Sequence, residues 1–397
     1  MKKNLPIAVT GMGCICAAGA HVDESATSLF EGKRNLRPPS RFKSTRKETY
    51  PVFEVPDDFL PAKLRKREDI HLTSKLAVAA AYEAIENAGL SIGQLAKKRV
   101  GVCVGTTVGS SMNNEDFYRE FRNGGNPDMV PITRYLRSNP ASAIAREFLL
   151  KGPCQTVVNA CSSGTDAIGI GLSWIRSGIC DIVVAGGTDE LCRVTFNGFI
   201  SLMITDDSPC KPFDKYRKGL NLGEGAGILV LESERSYQER KGRIRSYILG
   251  YGASTDAYHL TAPHPNGEGL RRALKEVMTS CNVQATEISF VNAHGTGTSD
   301  NDRVESNVLN ELLPGVLFLS TKGYTGHTLG AAGAIEAVFT IACLEMGRIP
   351  ANAGFSVHDP DLPVSPVKKT TSFQGTIALS QSLAFGGSNG VLLFKRG

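Results

Sequence analysis

The ten cysteines of this chain never stand in C-x-x-C spacing, which removes the commonest zinc and dithiol signatures. No stretch reaches the ~18 consecutive apolar residues of a membrane span. Charge of neither sign dominates: 44 Lys and Arg stand against 39 Asp and Glu, a net of +5, with no concentrated basic stripe. That speaks against a nucleic-acid partner and suits an acidic one. Histidine is scarce, at seven residues. A metal site would want carboxylates or thiolates at close spacing, and none is obvious.

What is present builds a core. Hydrophobic residues make up 41% and charged residues 21% of 397, enough for two or three structural units or one large duplicated one. Cysteines inside apolar runs, as in GVCVG (101–105) and FTIACLEM (339–346), read as small buried hydrophobes. A reducing, cytoplasmic compartment without disulfides follows. The opening MKKNLPIAVTGMGCICAAGA imitates a signal peptide, but Pro6, Thr10, Gly11 and Gly13 break its apolar stretch. It reads instead as a first strand, LPIAVTG, running into a loop.

Short β-branched runs followed by Gly-rich turns and helices recur along the chain. Strands are expected at 99–107, 156–163, 181–189, 225–233, 288–298 and 391–394, and helices at 72–89, 163–178, 269–281 and 330–347. Continuous apolar strands alternating with helices predict an α/β fold with mainly parallel sheets. Residues 30–65 are irregular and read as a surface excursion. Two internal echoes compete. CSSGTDAIG (161–169) resembles HTLGAAGAIE (327–336) as the opening of an apolar helix, while VNACSSGT (158–165) resembles VNAHGTGT (291–298). Either hints at two similar halves.

Cys161, in VVNACSSGTDAIGIG, lies between a strand and a Gly-rich helix. Thiolate is the reactive form of cysteine, and a helix N-terminus lowers the thiol pKa while its free N–H groups can bind an oxyanion. Cys161 is therefore a candidate nucleophile; a buried structural cysteine is the alternative. Two histidines share its kind of setting, a Gly-rich turn after a strand: His294 in NAHGTGTSDND and His327 in STKGYTGHTLGAAGAIEA. Each alone reads as a satisfied core side chain; together with Cys161 they form a candidate catalytic set.

NACSSG, AHGTGTSDND, TKGYTGHTLGAAGAIEA and AFGGSNG, with KPFDKYRKGLNLGEGAGILVLE (211–232), together resemble the elongating β-ketoacyl-acyl carrier protein synthases of the thiolase-like superfamily. The resemblance covers essentially the whole chain. It implies a thiolase-like fold, two duplicated halves forming a five-layer αβαβα sandwich. Residues 1–240 would carry Cys161, and residues 241–397 would carry His294 and His327. It implies that Cys161 accepts the acyl chain as a thioester and that His294 and His327 complete a Cys-His-His set. Lys322 would precede the second histidine and Glu336 stand behind it. Thr296 and Thr298 would hold the phosphopantetheine arm, and Phe385 would gate the cysteine. Backbone N–H groups of Cys161 and Phe385 would form the oxyanion hole.

The implied activity is acyl transfer to Cys161, then decarboxylative condensation with malonyl on acyl carrier protein, giving a 3-oxoacyl chain two carbons longer. Decarboxylation needs enolate stabilisation rather than a strong base, which suits two neutral imidazoles. No metal or other cofactor is implied, because the substrates ride on phosphopantetheine. The partners implied are acyl carrier protein and a second subunit, in a homodimer or in a heterodimer with a chain-length-factor-like chain. Lys63, Arg65, Lys66 and Arg67 fall where a carrier-protein docking patch is expected; a solvated charge run is the alternative.

The chain departs from the family ending N-S-F-G-F-G-G-T-N, with Leu383 for the first phenylalanine and Ala384 for glycine. Alanine visits positive φ less freely than glycine, so a different gate motion is expected. The implied pathway is fatty acid or type II polyketide or aryl polyene biosynthesis; these departures, with ACSSG at the nucleophile, count against fatty acid housekeeping and lean towards the specialised alternatives. Three rival readings fit less well. A chain-length factor usually lacks the cysteine. A thiolase has a second cysteine where AFGGSNG has none, and a cysteine hydrolase would need an Asn or Asp partner that nothing marks.

Overall fold

Ten strands, each short and apolar, order themselves into one continuous sheet in the computed structural model, which describes residues 5–43, 49–108 and 114–397. They are β1 (Ile7–Cys16), β2 (Val100–Gly105), β3 (Cys154–Val157), β4 (Ile182–Asp189), β5 (Gly225–Glu232), β6 (Ser246–Thr255), β7 (Ile288–Asn292), β8 (Leu317–Leu319), β11 (Ile377–Ala384) and β12 (Ser388–Arg396). Two further strands, β9 (Arg348–Ile349) and β10 (Thr371–Ser372), pair as a small ribbon. The order in the large sheet is β3-β2-β4-β5-β1-β6-β12-β11-β7-β8.

Read outwards from the β1–β6 seam, that order repeats. The β1-β5-β4-β2-β3 set mirrors β6-β12-β11-β7-β8, and the directions repeat as well. The inner pairs are antiparallel in both sets, and the outer pairs, β2 with β4 and β3 or β7 with β11 and β8, are parallel. The expectation of mainly parallel sheets is thus corrected to a mixed sheet with parallel flanks. The seam itself is a three-residue antiparallel contact, Ile7 to Val9 against Ser246 to Ile248.

The repeat decides between the two echoes. Cys161 follows β3, and His327 follows β8, the equivalent strand of the other set. The helices they introduce, Ser163–Arg176 and Ala332–Met346, pack against each other and against strands of both sets. His294 follows β7, whose counterpart is β2, so VNACSSGT and VNAHGTGT are alike in sequence without being equivalent in the fold. Helix Leu72–Asn87 covers the other side of β1, β4 and β5, and Glu268–Cys281 covers β6 and β12, completing the layers.

The strand 156–163 predicted around the cysteine is shorter, ending at Val157, and 288–298 ends at Asn292. In both cases the remainder is the turn that carries the functional side chain. Several elements had no clear apolar period and were not foreseen, among them helices Arg193–Ser201 and Ser299–Leu312 and strands β6, β8 and β11. Residues 30–65 are not merely a surface excursion. Val52, Phe53, Glu54 and Val55 are buried, and Phe53 exchanges backbone hydrogen bonds with Leu222 and Glu224.

The expectation that no stretch has ~18 consecutive apolar residues stands, since Glu336 and Glu345 interrupt the one helix among the described residues that approaches it. Leu329–Met346 has 18 residues with a mean hydropathy of 1.6, long and apolar enough by composition to cross a membrane, but 89% of it is buried inside the protein. It is the central helix. A helix that is apolar on all sides needs protein on all sides.

Candidate active site

The turn that carries Cys161 is strained. Ala160 has φ +46°, in the left-handed region that non-glycine residues rarely occupy. Ser162 then takes the position before helix Ser163–Arg176, without a side-chain cap bond to it. The Ser162 hydroxyl donates to the Asn159 carbonyl at 3.0 Å and to Asp166 Oδ2 at 2.8 Å. The first serine of ACSSG therefore stabilises its own turn.

Cys161 Sγ lies 3.1 Å from His327 Nε2. His327 Nδ1 accepts the Leu329 N–H at 3.2 Å. The partner chooses the tautomer: Nδ1 accepts, so Nε2 carries the proton and donates. His294 is arranged in the same way. The Lys322 ammonium, which can only donate, reaches His294 Nδ1 at 3.1 Å and leaves Nε2 as the N–H edge. The two rings stand nearly perpendicular, with centroids 5.2 Å apart.

Electrostatics hold both rings neutral. Burial, with the positive charge of Lys322, pushes His294 and His327 well below the usual histidine range. Lys322 is itself buried and ion-paired with Glu336, whose carboxyl burial pushes up against the pull of that lysine. Lys322 therefore acts on His294 directly, with Glu336 behind it.

The thiol departs from expectation. Burial pushes Cys161 up to about 11, although Lys322 and the Phe385 backbone N–H both pull it down. Cys161 is only 4% exposed, and removal from water outweighs the helix terminus. The resting form at neutral pH is the thiol.

Cys161, His294, His327, Thr296, Thr298 and Phe385 all line one cavity of about 250 Å³. The Thr296 and Thr298 hydroxyls pair at 2.8 Å. The Phe385 ring stacks on Phe199, 5.6 Å between centroids, at the cavity wall. Ala384 is extended, at φ −126°, and the positive φ of this loop falls on Gly386 and Gly387. The alanine thus occupies a conformation that needs no glycine, and in this state the gate is unstrained by the substitution. Leu383 lines the same cavity.

The expected docking residues divide. Lys63 is ion-paired with Glu147, and Arg67 with both Asp69 and Glu147. Arg65 and Lys66 are exposed.

Sequence reading missed the groups that hold the loops in place. Glu305 accepts the backbone N–H groups of His294 at 2.7 Å and Gly295 at 2.6 Å. Asp302, pushed by burial up to about 7, accepts from Phe213 and Gly297. Asn221 accepts the His327 N–H through its carbonyl at 2.8 Å. SDNDRVE (299–305) shows carboxylates one helical turn apart, which on a surface helix signify only solvation; nothing local says that these face inwards.

A nucleophilic sulfur, two neutral N–H donors and a narrow cavity ending on them make a site for acyl transfer. The N-terminal domain of the β-ketoacyl synthase family matches residues 4–236, and its C-terminal domain matches residues 245–356. The chain belongs to the β-ketoacyl synthase family. The 3-oxoacyl-[acyl-carrier-protein] synthase 2 of Synechocystis sp. (strain ATCC 27184 / PCC 6803 / Kazusa) is 33% identical, over 98% of this chain and 98% of its own. Among solved structures, this synthase superposes on a chain of "The ishigamide ketosynthase/chain length factor" with a TM-score of 0.91. Identity there is 34%, with 99% of each chain covered. It also superposes on a chain of a ketosynthase (ApeO) in complex with its chain length factor (ApeC) from Xenorhabdus doucetiae, with a TM-score of 0.86. There the identity is 29%, over 99% of this chain and 98% of that one.

Proposed function

We propose that this synthase extends an acyl chain by two carbons at the expense of malonyl on an acyl carrier protein, with Cys161 as the nucleophile. In the first half-reaction the Cys161 sulfur attacks the carbonyl of an acyl thioester. The bond to the carrier's sulfur breaks, and the Cys161 proton ends on the departing thiol. The oxyanion forms against the backbone N–H groups of Cys161 and Phe385. In the second, the bond from malonyl to its carboxylate breaks, carbon dioxide leaves, and the electron pair becomes an enolate. His294 and His327 donate their Nε2–H bonds to the enolate oxygen. The enolate carbon attacks the Cys161 thioester, the carbon–sulfur bond breaks, Cys161 leaves as the thiolate and takes a proton from water to return to the thiol, and the 3-oxoacyl product stays on the carrier.

The observation that carries this reading is the tautomer pair. Each imidazole has an acceptor-only contact on Nδ1, so neither Nε2 is free to take a proton. Two fixed donors beside a sulfur suit charge stabilisation, not general-base hydrolysis. Losing one such donor costs ~10²–10³ in rate. Thr296 and Thr298 hold the phosphopantetheine arm, Phe385 gates the sulfur, and Arg65 and Lys66 are the docking cations left unneutralised beside Lys63 and Arg67. The substrates arrive on phosphopantetheine, and the chemistry requires no metal or redox group. All ten cysteines are free, in keeping with a cytoplasmic site of action.

The pathway proposed is a specialised one, type II polyketide or aryl polyene assembly, with a second ketosynthase-fold chain as partner. Likeness to chains of two ketosynthase/chain-length-factor structures supports this. So does the apolar surface of helices Glu115–Arg122 and Val130–Arg137, which bury none of their residues in the single chain.

The test separates the half-reactions. His327→Ala should still take an acyl group on Cys161, read by intact mass, while carbon dioxide release from malonyl carrier protein falls ~10²–10³-fold. Undiminished release, or acyl mass retained in Cys161→Ala, would refute the assignment.

A further inference from the structure

Asp189, the last residue of β4, is fully buried, yet it lies outside the ring of residues that line the cavity. Its Oδ1 accepts the Thr106 hydroxyl at 2.8 Å. Its Oδ2 accepts two backbone N–H groups, from Thr107 at 2.7 Å and from Gly330 at 2.7 Å. These donors belong to the two halves of the reaction centre. The Thr107 hydroxyl donates to the carbonyl of Ala160 at 3.2 Å, the left-handed residue immediately before Cys161. Gly330 follows Leu329, whose N–H holds His327 Nδ1.

The backbones touch here with no room for side chains. A Cβ on Gly330 would lie 2.5 Å from the Thr107 nitrogen, and one on Gly187 would lie 2.4 Å from the Gly330 carbonyl. Three segments distant in sequence therefore meet at one carboxylate: the end of β4, the turn after β2, and the loop between His327 and the central helix. Burial pushes this carboxyl up to about 6, while the Thr106 and Thr107 side chains and the Thr107 and Gly330 backbone N–H groups hold it down.

We infer that Asp189 is a positioning residue for the condensation: by clamping the Thr107 turn and the Gly330 loop to one point, it sets the separation of the Cys161 sulfur and His327 Nε2. The inference rests on the function proposed above. Neither Asp189 nor Thr106, Thr107 or Gly330 lines the cavity; they fix where the two reacting groups stand. A displacement of about 1 Å between reacting groups can cost ~10²-fold in rate, so the clamp should be visible in turnover.

The experiment uses Asp189→Asn, which keeps the shape but presents N–H or a neutral oxygen to donors. The expected result is a kcat for condensation lower by ~10–100-fold per folded molecule, with KM for both carrier-protein substrates within about twofold. A merely structural role would lower the folded fraction and leave the turnover of what is folded. Thr107→Val is the second variant. It keeps the carboxylate and the Thr107 N–H but severs the link to Ala160, and its kcat should fall ~10-fold at unchanged KM. Wild-type protein is run alongside and its Cys161 acylation read by intact mass. Wild type that takes no acyl group would overturn the functional reading, and the inference with it. Acylated wild type beside a folded Asp189→Asn with undiminished kcat, or with its whole loss in KM, would overturn the role of Asp189 alone. If Asp189→Asn does not fold, Thr107→Val decides by the same two outcomes.

Discussion

At the scale of the residue, the thiol is the informative group. A cysteine before a helix suggests a lowered pKa, yet Cys161 is raised to about 11 because a 4%-exposed cysteine loses more in hydration than it gains from the helix. The sign has a direct consequence. A raised thiol pKa keeps the reactive thiolate scarce at neutral pH, and its fraction grows tenfold per pH unit until the pKa is reached. Alkylation of Cys161 by iodoacetamide should therefore rise log-linearly from pH 7 to about 10, whereas a thiol with an ordinary pKa would level off near 9. A plateau below pH 9 would contradict the burial argument. The histidines shift the other way, and for catalysis this is useful. A lowered pKa preserves the neutral N–H donor as pH falls through the usual histidine range.

At the scale of the element, the two central helices matter most. Ser163–Arg176 and Ala332–Met346 bring Cys161 and His327 together because small residues let them approach. Gly333 is the tightest point: a Cβ there would lie 1.9 Å from Thr165 Oγ1 and 2.7 Å from Ser382 Oγ. Glycine within a helix normally costs about 1 kcal/mol against alanine. Here replacement should reverse that sign. Gly333→Ala is expected to destabilise by ~1–3 kcal/mol through overpacking, read as a lower midpoint in urea at unchanged slope. A stabilised variant would mean that the helices have slack. The apolar helices and the buried strands β1, β2, β4 and β5 are legible in the sequence, since their apolar runs are strong, whereas β8 and β11 are not. Helix Ser299–Leu312 was not, because its inward Asp302 and Glu305 look like ordinary surface charges until their backbone donors are seen.

At the scale of the whole molecule, the duplicated strand order puts nucleophile and histidine after equivalent strands on either side of the β1–β6 seam. The assembly is expected to extend beyond one chain. Tyr118, Phe121, Met129, Val130 and Leu136 are all exposed on the two helices that bury nothing. Several large apolar side chains left exposed on two helices point to an interface. Native mass spectrometry of purified protein should show two chains, either two copies or one copy with a chain-length-factor-like subunit retained on co-expression. A monomer under both conditions would contradict the proposed partnership. The proposed docking cations are read at this scale too: of Lys63, Arg65, Lys66 and Arg67, ion pairing leaves Arg65 and Lys66 as the ones without a carboxylate partner among the described residues.

The amino-acid sequence alone determined the family resemblance, the identity of Cys161, His294 and His327, and the alternation of apolar strands with helices. These are local matters: a run of β-branched residues, a glycine at a turn, a motif within reach of its neighbours. Tertiary structure alone decided which echo is a true repeat, which way the thiol titrates, which nitrogen of each imidazole accepts, and that Glu305 holds the His294 turn through its backbone N–H groups. Each of these depends on what lies beside a group rather than before or after it. Cys161 and His327, 166 positions apart in the chain, meet at 3.1 Å only because two sets of strands fold their equivalent turns toward each other.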